Sequence, residues 1–166
     1  MSLKYWLMKC EPSAYSIDDL KKDRVTHWEG VRNYQARNYM RDEMQLGDLI
    51  LFYQSNADPS GIVGLARVHK EAYPDRFALE PSSKYFDPKS SIENPRWVMI
   101  DICFLKEFAK PIPLAELREI KGLEKMCVLK KGSRLSITPV TEKEYKIIME
   151  TYGYETTPHK NSKECP

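Results

Sequence analysis

Histidine and cysteine are few and scattered in this chain of 166 residues. Three histidines, His27, His69 and His159, and four cysteines, Cys10, Cys103, Cys127 and Cys165, make no C-x-x-C pair and no other ligand spacing. That excludes a sequence-local zinc site and leaves no Ser-His-Asp or Cys-His set to assemble. Reduced thiols, and neither metal nor cofactor, are the expectation. No apolar run approaches the roughly 20 residues of a membrane span, and the N-terminus lacks a charged-then-apolar leader. The reading is therefore a protein with no membrane partner, intracellular: cytoplasmic in a bacterium, nuclear in a eukaryote. Neither sign of charge dominates, with 26 Lys and Arg against 24 Asp and Glu. Any nucleic-acid binding must be local rather than driven by a global field. G-x-G-x-x-G and G-x-x-x-x-G-K-[ST] are both absent, which removes the two commonest phosphate cradles.

What is present fits one domain, residues 1–153, followed by a polar, proline-punctuated tail, 154–166, expected to be mobile. "KYWLMKC" reads as a first strand closed by Glu11-Pro12, and Ser16 with Asp19 as a capping box for a short helix. Asn33 is placed to cap a helix running to about Met44. On it Ala36, Met40 and Met44 share one face while Tyr34, Arg37 and Arg41 line the adjacent flank. "LILFYQSN" and "IVGLARVHKEAY", separated by the turn "ADPSG", predict an antiparallel pair with Gly64 at a bulge or close approach. Residues 74–95 read as an ordered excursion, and Trp97 to Leu105 as an alternating strand. Two short helices, a last strand in "SRLSITPV" and a final helix capped by Thr141 and Glu144 follow. Strands interspersed with short helices predict an α+β domain, a small twisted sheet or barrel with helices at its edges.

The segment "HWEGVRNYQARNYMRDEM" gathers aromatics, asparagines and arginines at a helix start. Unpaired N–H groups at Asn33, with Arg32, Arg37 and Arg41 beside them, predict a phosphate contact. For Arg41 a surface pair with Glu29, Asp42 or Glu43 competes with that role. Trp28, Trp97 and Tyr53 offer flat surfaces for an extruded base, and Asn33, Ser55 and Asn56 offer polar contacts for its edge. Each tryptophan taken alone reads rather as a core anchor, and the case for a base pocket rests on the combination. Lys9 and Glu11 share one strand face, which allows acid–base chemistry or a plain surface ion pair.

"YWLMKCEP", "WEGVRNYQARNYMR", "FYQSN", "GLARV", "KEAYPD", "ENPRW" and "RLSITPV" together resemble the EVE domain family, over nearly the whole chain to about Met149. The resemblance implies a PUA-like β-barrel, a twisted and mostly antiparallel sheet flanked by short helices, related to YTH and ASCH domains. It also implies a non-enzymatic reader that holds a modified cytosine, such as 5-hydroxymethylcytosine or 5-methylcytosine, in DNA or RNA. The family's pocket motifs fall on Lys9, Glu11, Trp28, Arg32, Asn33, Tyr53, Ser55, Asn56 and Trp97. Cys10 stands where the family usually has serine and Gln54 where it usually has histidine. Two rivals accompany the reader, expected to be a monomer: an ASCH-like hydrolase of modified nucleosides using Lys9 and Glu11, and a protein-interaction module.

Overall fold

Side-chain alternation along the first strand decides where two cores lie. In β1 (Tyr5–Cys10), Trp6 and Met8 enter one core and Leu7 enters another on the opposite face of the sheet. β3 (Leu49–Gln54) repeats the division, with Ile50 and Phe52 on the side of Trp6, and Leu49, Leu51 and Tyr53 on the side of Leu7. A strand buried on both faces is apolar, which is why "LILF" carries no polar side chain. The computed structural model describes residues 3–156.

Six strands form one mixed sheet in the order β2-β5-β4-β3-β1-β6, with β2 (Val25–Trp28), β4 (Gly61–Pro74), β5 (Val98–Pro113) and β6 (Ile137–Val140). β1 and β3 run parallel and the other pairs are antiparallel, so the expected antiparallel bias holds. Among the described residues the sheet is open: its edges β2 and β6 are not hydrogen-bonded to each other, where a closed barrel was expected. The long strands β4 and β5 stay paired through repeated register shifts. Bulges of this kind bend a strand and raise its twist. Gly64 sits at one of them, where a Cβ would come within 2.4 Å of the Lys106 carbonyl oxygen.

Helices cover both faces. α1 (Ile17–Asp23), with the predicted Ser16–Asp19 capping box, and α2 (Tyr34–Asn38) pack Ile17, Leu20 and Ala36 into the first core. α3 (Leu114–Glu119) and α4 (Glu142–Thr151) place Leu117, Tyr145, Ile148 and Met149 in the second. The helix predicted to Met44 changes character after Asn38 and continues as a π-helical turn, Tyr39–Glu43, which still buries Met40. Two strands differ from expectation. β2 was not foreseen, since three of its four residues are only half buried, and β5 extends eight residues past Leu105, where Phe108 and Ile112 fill the second core between exposed lysines. The helix expected at "LEKMCVLKK" is a single 3-10 turn, Cys127–Leu129.

Tyr154, assigned by sequence to the tail, stacks on Phe108 with centroids 4.2 Å apart; residues 157–166 lie outside the described residues. Cys10 and Cys127 are free thiols. No described helix is long and apolar enough to cross a membrane.

Asp48, at the entry to β3, is a buried carboxylate that accepts from the Lys4 N–H at 3.1 Å, the Trp6 indole N–H at 3.0 Å and the Gln45 N–H at 2.9 Å. It ties the start of β1 to the turn before β3. A buried donor left without a partner costs about 1–3 kcal/mol. Asp48→Ala is therefore expected to lower stability by about 1–3 kcal/mol in urea unfolding, chiefly by stranding the buried Trp6 indole N–H, and Asp48→Asn, which keeps one acceptor oxygen, by less.

Candidate nucleic-acid interface

An open cavity of about 540 Å³ lies where the end of β1, the strand β2 and the loop after it meet the excursion that precedes β5. β1 contributes Lys9 and Cys10, with Glu11 just beyond its end. β2 contributes Trp28, followed by Glu29 to Arg32, and the excursion contributes Lys84 and Tyr85. Trp28 forms an inner wall. It is held edge-on by Tyr15 at 6.1 Å and Phe52 at 5.8 Å, so it serves the core and the cavity at once.

Tyr15 also lines the cavity, with its hydroxyl donating to the Asp23 carboxylate at 2.8 Å. Burial first, and that carboxylate second among the raising influences, push its phenol up and keep it neutral. Burial likewise pushes the Cys10 thiol up to about 11. A neutral thiol is a poor nucleophile, so Cys10 contributes a soft apolar surface. Burial lowers the pKa of Lys9, whose ammonium reaches the Ser133 carbonyl at 3.5 Å. Glu11 accepts from the Asn56 amide at 2.6 Å, which fixes the carboxylate at the mouth.

The far wall is organised by Asp75. Its side chain is fully buried and accepts from the Gly30 N–H at 3.0 Å, the Arg32 guanidinium at 3.0 Å and the Phe77 N–H at 2.9 Å. Arg32 spends its Nε and Nη2 on the Tyr85 carbonyl, at 3.2 and 2.8 Å. One arginine thus joins the loop after β2 to the excursion. Gly30, at φ +83°, lets the Tyr85 ring lie against its backbone, because a Cβ there would come within 2.4 Å of the ring.

Of the residues expected at the site, Lys9, Glu11, Trp28 and Arg32 converge on the cavity. The others do not line it. Asn33 uses its side-chain oxygen to accept the Ala36 N–H, as its capping role requires. Tyr53 is buried in the second core, 5.8 Å from the Lys9 ammonium. Ser55 donates its N–H to the Cys10 carbonyl at 3.0 Å, which extends the β1–β3 pairing, and Asn56 lies behind Glu11. Trp97 is 5% exposed, its indole N–H donates to Asp87 at 2.7 Å, and Tyr34 covers one face at 4.9 Å. It is the anchor of the excursion rather than a bare platform.

The arginines are similarly engaged. Arg32 is mostly internal, Arg37 donates to the Asn38 side chain and the Arg96 carbonyl, and Arg41 is chelated by Asp42 at 2.8 and 3.0 Å. A five-residue α2 offers little dipole to add to them. Gln54, the other position noted in the sequence, accepts the Ile17 N–H at 3.2 Å and anchors α1. Sequence reasoning missed Tyr15, Lys84 and Tyr85. The signal for the last two was the aromatic content of a proline-rich excursion that was read only as ordered surface. Among the described residues no group of three His, Cys, Asp or Glu side chains could hold a metal ion.

Sheet, helices and cavity define an α+β domain whose pocket pairs aromatic walls with charged groups of both signs. The chain belongs to the EVE domain family, whose model matches residues 4–151. Human thymocyte nuclear protein 1 is 41% identical over 163 residues, covering 87% of this chain and 72% of that protein. A structure of a hypothetical protein from Leishmania major superposes with a TM-score of 0.86 at 43% identity, covering 92% of this chain and 96% of the other. A crystal structure of the human THYN1 protein in complex with 5-methylcytosine-containing DNA superposes with a TM-score of 0.82 at 40% identity, covering 92% of this chain and 99% of that one.

Removing one member of a buried ion pair strands the other and costs about 3–5 kcal/mol. Asp75→Ala is expected to lower stability by about that much, and hydrogen exchange is expected to show faster amide exchange around Tyr85 than in β1 and β3.

Proposed function

We propose that this domain is a non-enzymatic reader of nucleic acid, binding DNA and holding a modified cytosine, such as 5-methylcytosine or 5-hydroxymethylcytosine, in the cavity beside Trp28. The observation that carries the reading is the cavity itself. Trp28, Tyr15 and Tyr85 offer aromatic surface to a flat ring, while Lys84 stands at the rim where a phosphate would lie. The likeness to the human protein crystallised with 5-methylcytosine DNA supports the choice of strand and base. Glu11, held by Asn56, is an acceptor suited to an exocyclic amine such as that of cytosine. In the same reading the open sheet is a PUA-like barrel whose edges do not meet, and the domain acts inside the cell as a monomer.

Arg32 and Trp97 serve this reading as framework, because their polar groups hold the excursion in place. Base contact falls on Trp28, Tyr15, Tyr85, Lys9 and Glu11, and phosphate contact on Lys84 with the exposed edges of Arg37 and Arg41. The hydrolase rival would use Lys9 and Glu11. Cys10, with its thiol held neutral, adds no nucleophile to that pair.

The test is a titration at fixed low salt with short DNA strands, and RNA strands of matching sequence, that differ only in one cytosine: unmodified, 5-methylated or 5-hydroxymethylated. A modified DNA strand is expected to bind more tightly than its unmodified twin. Tyr85→Ala is expected to weaken that strand by about 1–3 kcal/mol, the worth of one stacked base. Lys84→Ala is expected to flatten the log–log salt slope by about one phosphate contact without changing the preference among cytosines. Equal, salt-sensitive affinity for every strand would sink the base-reading proposal. Chromatographic detection of nucleoside turnover at catalytic protein concentration would replace it with the hydrolase.

A further inference from the structure

The aromatic and cationic groups of the pocket continue past its rim. The Arg32 guanidinium, which lines the cavity, lies 5.3 Å from the Trp97 ring. Trp97 stacks on Tyr34 at 4.9 Å with an interplanar angle of 24°. Arg37 holds its guanidinium 4.7 Å from the Tyr34 ring and 5.8 Å from Trp97. These last three distances close a compact triangle. Were Arg37 and Trp97 on opposite faces of Tyr34, their separation would approach the sum of their distances from it, far beyond 5.8 Å. Both therefore lie toward one side, and the other face of Tyr34 is open. Its 52% exposure agrees, in a residue whose ring is nonetheless held in place from beneath.

We propose that the open face of Tyr34 is a second stacking platform, taking a nucleobase that flanks the one in the pocket of a single-stranded segment, with Arg37 facing the intervening backbone. This rests on the reading that the pocket takes a base. An aromatic ring with a guanidinium beside it is how single-strand binders hold successive bases without reading them. Trp97 has already immobilised Tyr34, so stacking a base on it orders little further side chain. Charge favours this occupant over an apolar peptide, because the Arg37 guanidinium lies beside the ring and a strand supplies a phosphate at every step.

The test uses five-nucleotide DNA strands with 5-methylcytosine or cytosine at the centre, each made with ordinary flanking bases and with abasic flanks, followed by fluorescence anisotropy. Tyr34→Ala is expected to weaken strands with flanking bases by about tenfold and strands with abasic flanks by less than about twofold. Tyr34→Phe, which keeps the ring, is expected to bind as the parent protein does. Equal losses on both kinds of strand would mean that Tyr34 merely shelters Trp97, and no loss on either would mean that the face is unused; both outcomes overturn the platform, as does failure of the parent protein to bind any strand. The preference for 5-methylcytosine over cytosine is read separately from the same titrations. Its absence would remove the pocket reading even where the dependence on flanking bases persists.

Discussion

The buried carboxylate of Asp75 is the constraint on which the pocket depends. It has a single cationic partner, Arg32, and completes its acceptor capacity with the N–H groups of Gly30 and Phe77. An anion removed from water persists only when it is paired and hydrogen-bonded, since its desolvation is otherwise worth several kcal/mol. That requirement fixes three segments relative to one another: the loop after β2, the excursion, and the start of β5, whose preceding residue Trp97 accepts the Asp75 N–H through its carbonyl. The cavity is the space left between them. Tyr85 reaches its position by packing on Gly30, which a residue with a side chain could not allow at φ +83°.

The same economy explains why so many groups of the binding type are not free. Arginine's planar fork can satisfy several carbonyls at once, and Arg32 and Arg37 both use it to fasten backbone. What remains of each is a π-face and an edge. Cation–aromatic pairs at half-exposed sites are worth about 0.5–1 kcal/mol, too little to fold a domain but enough to hold a rim in one conformation. Preorganisation of this kind lowers the entropy lost when a ligand arrives.

Much of the fold was legible. Capping boxes at Ser16 and Thr141 and the apolar run of β3 are local signals, and each is where the sequence placed it. β2 was illegible because a four-residue edge strand with half-exposed side chains has too few positions to show alternation. The far end of β5 hid Phe108 and Ile112 among lysines, whose long stems cover apolar surface while their charges stay wet. At the site, residue types were readable and their division of labour was not. Trp28 and Trp97 look alike in sequence, yet one lines the cavity and the other gives its indole N–H to Asp87 and one face to Tyr34. Only tertiary packing distinguishes a wall from the post that supports it.

The parallel pairing of β1 with β3 adds the last element. Parallel neighbours deliver their C-terminal ends to the same edge of a sheet, and the register Cys10–Gln54 places the following residues side by side. Ser55 continues the ladder by donating to Cys10, and Asn56 then turns out at φ +50°, a left-handed conformation that asparagine tolerates better than most residues. The turn brings its amide onto Glu11. A carboxylate at a sheet edge would otherwise sample many rotamers in water. Here the backbone register aims it at the mouth of the cavity, where Lys9 stands on the same face of β1 two residues earlier. The two charges reach one opening from the end of β1 and the residue just beyond it, so the polarity of the pocket's near wall is set by the end of β1 and that of its far wall by Asp75, with Trp28 between them.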